Sequence, residues 1–268
     1  MLKLKKSLGQ NFLSDKNILK KIVSLDNIKN QTVVEIGPGS GNLTEFIIKE
    51  DPKKIILIEK DKRFFNLLKE KLSSHKNIEI HNKDILKFNF AEFNIGESIV
   101  FGNLPYNIST QILAKFICLK KWPPFYNKMI FMFQKEVADR IIAECNTKEY
   151  GRISILTNFR LEILDNFKIS KNCFFPKPKV DSKVIVFKPK VKVMNNIINI
   201  ENLEKITNIF FSNKRKMINK PMSKIFKNYK NVANKLKLNL NSRPSELSLN
   251  DYYNLVELYE NQLNNLGV

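Results

Sequence analysis

Cysteine and histidine are scarce in this chain of 268 residues. The three cysteines, Cys118, Cys145 and Cys173, are far apart and odd in number, and only His75 and His81 could join them. No Cys-x-x-Cys pair occurs, so zinc sites and disulfide frameworks both lack their sequence signature. No metal is expected, and a reducing compartment is. Long apolar runs are also absent. The longest, Met129-Ile130-Phe131-Met132-Phe133, has the length of a buried strand and not of a membrane span. No apolar stretch follows the basic start, Met1-Leu2-Lys3-Leu4-Lys5-Lys6, so neither a signal peptide nor an anchor is expected there. These readings together place the protein in the cytoplasm, away from membranes. Internal repeats and low-complexity tracts are missing too.

Acidic residues are the remaining shortage. Lys and Arg total 46 against 26 Asp and Glu, a formal net charge of +20. AT-rich coding explains a preference for Lys over Arg, but not a deficit of acids. A polyanionic partner does, because neutralising phosphates releases their counterions and drives sequence-independent binding. Hydrophobic residues make up 43% of the chain, enough for a sizeable core. The length suits one large domain with a small one.

The first part of the chain alternates strands and helices. Apolar Ile18, Leu19, Ile22 and Val23 recur at helical spacing over Asp15–Leu25, with Ser14 or Asp15 as cap. Short strands are expected over Thr32–Ile36, Lys54–Ile58, Ile78–His81, Glu97–Phe101 and Lys128–Phe133. Helices are expected between them, over Asn42–Lys49, Asp61–Ser73 and from Ser109 to about Leu119. Such alternation predicts a doubly wound, mostly parallel α/β sheet. After Lys188-Pro189-Lys190 only helical periodicity remains, over Ile200–Phe211, Lys216–Phe226, Val232–Leu238 and Leu249–Leu263. The expected division is an α/β domain over 1–190 and a small all-helical domain over 191–268.

Two loops carry chemistry. Glu35-x-Gly37-x-Gly39-x-Gly41 follows a strand and opens a helix. Such a turn lets backbone approach a ligand closely and aims amide donors at it. Glu59 ends the next strand, about twenty residues on, where a carboxylate can accept ribose hydroxyls. The glycine spacing is not Gly-x-Gly-x-x-Gly, since Asn42 stands where the third glycine would be, and this disfavours an NAD-dependent oxidoreductase. Asp84 ends the third strand and could accept from an adenine amine. The second loop is Asn103-Leu104-Pro105-Tyr106, after the fourth strand. An exocyclic adenine amine is nearly neutral and needs hydrogen-bond acceptors as it attacks. The Asn103 side chain and the carbonyl held before Pro105 can supply them, and Tyr106 can stack on a flipped base. Together the loops suggest methyl transfer to an exocyclic amine.

These residues give the chain a family resemblance. It resembles the rRNA adenine N6,N6-dimethyltransferases, most closely the KsgA branch that acts on small-subunit 16S rRNA. The likeness runs through Leu8-Gly9-Gln10-Asn11-Phe12-Leu13, Glu35-Ile36-Gly37-Pro38-Gly39-Ser40-Gly41, Glu59-Lys60-Asp61 and Asp84. It continues through Gly102-Asn103-Leu104-Pro105-Tyr106-Asn107-Ile108-Ser109, Gln134-Lys135-Glu136-Val137, Tyr150-Gly151-Arg152 and Phe175-Pro176-Lys177-Pro178-Lys179-Val180-Asp181-Ser182. The resemblance implies a Rossmann-like domain that binds S-adenosyl-L-methionine (SAM). Asn11 and Leu13 would contact the cofactor, Gly37 and Gly39 would line its site, Glu59 would take the ribose and Asp84 the adenine. Asn103, Leu104 and Pro105 would hold the target amine and Tyr106 one face of the base. The other face would meet Phe174, which alignment on Pro176 and Pro178 favours, or the adjacent Phe175.

The resemblance further implies dimethylation of two adjacent adenosines near the 3′ end of 16S rRNA during ribosome assembly, by a monomer. The helical domain would dock RNA through Lys214, Arg215 and Lys216, ahead of a helix that Pro221 interrupts. Two rivals remain open. One is an Erm-type enzyme acting on 23S rRNA. The other is a non-catalytic rRNA-binding factor, whose signature would be decay of Asn103 or the glycines, and these are intact.

Overall fold

A computed structural model describes residues 11–93, 95–191 and 196–265. The basic start and Leu8-Gly9-Gln10 lie outside the described residues. In chain order the elements are β1 (Phe12–Leu13), α1 (Lys16–Val23), β2 (Thr32–Ile36), α2 (Asn42–Lys49), β3 (Lys54–Glu59), α3 (Lys62–Lys71) and β4 (Ile78–Asn82). There follow β5 (Ser98–Asn103), α4 (Ser109–Ile117), β6 (Tyr126–Gln134), α5 (Lys135–Ile141), α6 (Arg152–Arg160), β7 (Leu161–Ile169), β8 (Phe174–Phe175) and β9 (Ser182–Pro189). Four helices close the chain: α7 (Ile200–Phe211), α8 (Asn219–Ile225), α9 (Tyr229–Lys235) and α10 (Leu249–Asn265).

Seven strands form one sheet in the order β4-β3-β2-β5-β6-β9-β7. The strands β4, β3, β2, β5 and β6 are parallel neighbours, and β9 joins β6 antiparallel. The central strands are mainly apolar and almost wholly buried, as strands of a parallel sheet covered on both faces must be. Helix starts follow local chemistry. The Asp15 carboxylate accepts from Asn17 and Ile18 N–H and caps α1. Asp61 caps α3 in the same way.

Register decides what meets at the carboxyl edge of the sheet. Ile36 of β2 lies level with Ile58 of β3 and with Gly102 of β5. The next residues are Gly37, Glu59 and Asn103. The strand order reverses direction between β2 and β5, and ligands of open α/β sheets bind outside the strand ends at that switch point. Sheet order and register thus bring two loops far apart in sequence to one crevice.

The chain divides into two compact units, Met1–Ala138 with Glu162–Pro189, and Asp139–Leu161 with Lys190–Val268. The second unit therefore takes in residues 139–161, which the sequence pattern assigns to the first domain. The reason is packing: Tyr150 meets Phe211 edge-on, and Phe159 packs on Tyr253. Within this unit the Glu260 carboxylate accepts from Ile198 N–H, Asn199 N–H and the Asn202 amide, tying the start of α7 to α10. The elements α5, α6, β7 and β9 have no counterpart in the sequence expectations. Pro221 does not interrupt a helix. α8 begins at Asn219, so the proline sits in its first turn, where an N–H has no intrahelical partner to lose.

Candidate active site

At the carboxyl edge of the first unit's sheet lies a cavity of about 200 Å³. Four stretches wall it: Ile36 to Gly39, Ile58 to Asp61, Asp84 with Ile85, and Asn103 to Ile108, with Asn11 and Phe12 completing the lining.

The glycine turn leaves β2 in left-handed backbone conformations, with φ of 65° at Gly37 and 55° at Gly39. A Cβ on Gly37 would meet nothing within 4 Å, so that residue faces open cleft. A Cβ on Gly39 would lie 2.2 Å from Cε1 of Phe12. The missing side chain at Gly39 is thus the space that the Phe12 ring fills, and Phe64 packs edge-on against that ring.

Glu59 closes the neighbouring side. Its Oε2 accepts the Gly39 N–H at 3.0 Å and its Oε1 accepts the Asp61 N–H at 2.7 Å. Both oxygens keep lone pairs for a ligand. Burial raises the carboxyl pKa, and the Asp61 and Gly39 amides oppose that rise by binding the ionised form. Asp84 is held just as firmly. Its Oδ1 accepts the Leu86 N–H at 3.0 Å and its Oδ2 pairs with Lys60 at 2.8 Å. Partial burial pushes its pKa up, but the bonds from Lys60 and Leu86 outweigh this and the net shift is downward. Lys115 of α4 donates to the carbonyls of Leu86 and Phe88, at 2.9 and 2.6 Å, and so fixes the loop that carries Asp84.

The third wall is the loop after β5. The Asn103 Nδ2 donates to the Asn11 carbonyl at 3.0 Å. Leu104 is buried against Gly102, where an added Cβ would come within 2.6 Å of Leu104 Cδ2. The Ile108 N–H donates to the Pro105 carbonyl and closes a turn. The Tyr106 hydroxyl lies 2.8 Å from the hydroxyl of Ser182, a fully buried residue at the start of β9.

Of the residues expected from sequence, the structure gathers Asn11, Gly37, Gly39, Glu59, Asp84, Asn103, Leu104, Pro105 and Tyr106 around this one cavity. Leu13 and Phe174 stand apart. β1 pairs antiparallel with β8, setting Phe12 against Phe175 and Leu13 against Phe174. Leu13 and Phe174 are each 4% exposed and belong to the hydrophobic core. The pairing turns the Phe174 ring inward, so it does not line the cleft as expected of it; Phe175 is 58% exposed. Phe12, Lys60, Lys115 and Ser182 are site residues that the sequence motifs do not single out. Strand alternation signals Phe12: if Leu13 packs inward, its neighbour faces the other way.

Lys214, Arg215 and Lys216 belong to the second unit, in the turn between α7 and α8. Lys214 donates its ammonium to the carbonyls of Lys148 and Tyr150. Burial lowers its pKa, and the nearby Arg140 lowers it further. It is therefore spent on the fold, whereas Arg215 and Lys216 are exposed. No Asp or Glu occurs between Glu204 and Glu246, so this stretch of the chain carries only basic charge; Glu149 is the acid near Lys214.

The family model for ribosomal RNA adenine dimethylases matches residues 1–261. The chain belongs to the ribosomal RNA adenine dimethylase family. It is 48% identical to a ribosomal RNA small subunit methyltransferase A from Pelagibacter ubique (strain HTCC1062), over 97% of this chain and 98% of that protein. Among solved structures it resembles a dimethyladenosine transferase from Plasmodium falciparum, with a TM-score of 0.74 and 27% identity over 94% of this chain and 98% of that one. The 23S rRNA methyltransferase ErmE shares the fold, with a TM-score of 0.66 and 22% identity over 93% of this chain and 99% of that one. Membership makes the protein a SAM-dependent methyltransferase, and the cleft suits an adenosine-bearing cofactor. It offers a turn open at Gly37, carboxylates with spare acceptor capacity at Glu59 and Asp84, and apolar Ile36, Ile58 and Ile85 between them. Among the described residues no helix is long and apolar enough to cross a membrane.

Proposed function

We propose that the cleft binds SAM beside the Gly37–Gly39 turn and that Asn103 to Tyr106 hold an adenosine of small-subunit 16S rRNA for dimethylation at N6. The observation that carries this reading is the meeting of Glu59, Asp84 and Asn103 on one cavity. Glu59 accepts the ribose hydroxyls and Asp84 the cofactor's adenine amine. When bound, the cofactor supplies a methyl group on a sulfonium, which carries the leaving-group energy.

The chain's own residues have mainly to position. A carbonyl only accepts, so contact with the Asn11 carbonyl commits Asn103 to presenting Nδ2 there. In the first transfer its Oδ1 is left to accept one hydrogen of the target amine, and the Leu104 carbonyl, held rigid before Pro105, takes the other. Each transfer releases one amine proton to water, so one N–H remains for the second. Both draw electron density toward the attacking nitrogen. Tyr106 stacks on the extruded base. Burial raises the Tyr106 pKa further above neutrality, so the ring stays uncharged at any physiological pH.

The relatives named as small-subunit enzymes favour the small subunit over the large, whereas the likeness to ErmE extends to fold alone. Two adjacent adenosines in the 3′-terminal hairpin loop of 16S rRNA are the proposed targets, methylated in the cytoplasm by a monomer during ribosome assembly. Arg215 and Lys216, in a stretch of the second unit without acids, dock the phosphate backbone. The test is transfer of labelled methyl from SAM to purified, undermethylated small and large subunits, followed by mapping of the modified base. Label confined to small-subunit adenosines is expected. Label only in large-subunit RNA would overturn the proposal.

A further inference from the structure

A single exposed phenylalanine means little by itself. Phe175 differs because of what stands beside it. Directly opposed residues of an antiparallel pair project to the same face. The β1–β8 pair obeys this: Leu13 and Phe174 both point into the core, while Phe12 lines the cleft and its partner Phe175 is exposed. An aromatic face is thus presented next to a wall of the cleft, yet outside its lining.

The charges along this stretch of the chain have one sign, and Asp15, the acid beside Cys173, is committed to capping α1. No acid occurs between Asp165 and Asp181. Lys177 and Lys179 are exposed, alternating with Pro176 and Pro178. The first acid beyond them is already engaged: Asp181 pairs with Lys168 at 2.9 Å and accepts the Lys171 N–H at 2.9 Å. The prolines fix φ on either side of Lys177 and limit the conformations it must give up on binding. An aromatic face flanked by cations is what unpaired nucleic acid requires, since every base has a π-face and every linkage a phosphate.

We infer that Phe175, Lys177 and Lys179 form a subsite for the unpaired nucleotide adjoining the one in the cleft. The base stacks on Phe175 and the lysines take the neighbouring phosphates. This rests on the proposed RNA substrate. If the targets are two adjacent adenosines, the subsite holds one while the other occupies the cleft.

The experiment uses the full chain with undermethylated small subunits. Phe175→Ala is expected to raise KM for the subunits about tenfold, as loss of one base stack does. It should leave SAM affinity, melting temperature and kcat at saturating subunits near wild type. Phe175→Trp should restore KM, and its emission should be quenched on subunit binding, against a background of one native tryptophan, Trp122. Lys177→Glu with Lys179→Glu should raise KM and flatten its salt dependence by about 0.7 per lysine on a log–log plot. A wild-type KM for Phe175→Ala overturns the subsite. So does a fall in kcat at unchanged KM, which would move Phe175 to the target base itself. Failure of the wild-type enzyme to label small subunits would instead count against the proposed substrate, and is seen separately.

Discussion

The side chain of Asn103 reaches the main-chain carbonyl of Asn11, with Nδ2 at 3.0 Å. One residue thus joins the loop proposed to hold the target to the segment that lays Phe12 over Gly39. Asn103→Ala removes the acceptor proposed for the reacting centre, a loss typically worth about 10²–10³ in rate. It also removes one tether of Asn11, worth about 1 kcal/mol as an ordinary hydrogen bond. Turnover on undermethylated subunits should therefore collapse, while SAM affinity by calorimetry falls only a few-fold. Turnover near wild type would remove Asn103 from the chemistry.

Glu59→Ala should show the opposite profile. The carboxylate supports the turn through Gly39 and Asp61 and is proposed to accept the ribose. SAM affinity should weaken by about 1.5–3 kcal/mol, as for hydrogen bonds to a charged acceptor. Glu59→Gln should recover little. Its amide would put an N–H against one of the two backbone donors. Unchanged calorimetric affinity in Glu59→Ala would reduce Glu59 to a support for the glycine turn.

Ser182 reaches the cleft through Tyr106, so the two hydroxyls invite a double-mutant cycle. Tyr106→Phe keeps the stacking ring and loses its anchor. Ser182→Ala loses the same bond from the other side. Each should lower kcat several-fold with SAM affinity unchanged, and the double mutant should be no worse than either single. Additive losses, or a drop in melting temperature without a change in kcat, would give Ser182 a purely structural role.

Legibility from sequence follows the reach of the interactions. β2 and α2 are found where the sequence puts them, because a buried parallel strand is an apolar run and a glycine turn opens the helix. α7 is likewise local, with Asn199 as its cap. β9 is not, since its place beside β6 depends on pairing about fifty residues away. The inward turn of Phe174 is set by a strand near the other end of the unit, at Leu13. Motif matching points to Leu13, Phe174 and Phe175, but the side each faces is decided by that pairing. Charge runs hide a similar distinction. Nothing in Lys214-Arg215-Lys216 tells which cation is spent on the carbonyls of Lys148 and Tyr150.

Glu35 gives a prediction about pH. It is 2% exposed on β2, and the Thr44 hydroxyl donates to it at 2.7 Å. Burial pushes its carboxyl up to about 8; the Thr44 bond opposes this and Glu59 adds to it. The unfolded group titrates near 4.5. Between those values the folded protein keeps a proton that the unfolded chain has lost. The contribution of Glu35 to stability therefore falls as pH rises through the window and is constant on either side. Glu35→Gln stays neutral and still accepts from Thr44. Its unfolding free energy should exceed that of wild type by a margin that widens from pH 5 to pH 8, approaching about a few kcal/mol, and its melting temperature should rise in step. A constant margin across that range would mean that the carboxyl titrates normally.

The last prediction concerns how the RNA is held. A single stacked base binds weakly, so affinity must come from phosphate contacts elsewhere. Arg215 and Lys216 are exposed on a stretch without acids, whereas Lys214 is half-buried against carbonyls. Reversal of Arg215 and Lys216 to Glu should weaken subunit binding and reduce the log–log salt slope by about 0.7–0.9 for each phosphate no longer neutralised. SAM affinity should not change, because the cleft is built from the first unit alone. Lys214→Glu should behave differently. It places a carboxylate against two carbonyl oxygens, so the second unit should lose stability, and binding should weaken without a matching change of slope. The measurement is subunit affinity over a salt series for the three proteins, with melting curves alongside. Parallel salt lines of equal affinity for wild type and the Arg215/Lys216 reversal would take this turn out of the RNA interface. A reduced slope for Lys214→Glu at unchanged melting temperature would return Lys214 to that interface, against the hydrogen bonds that now account for it.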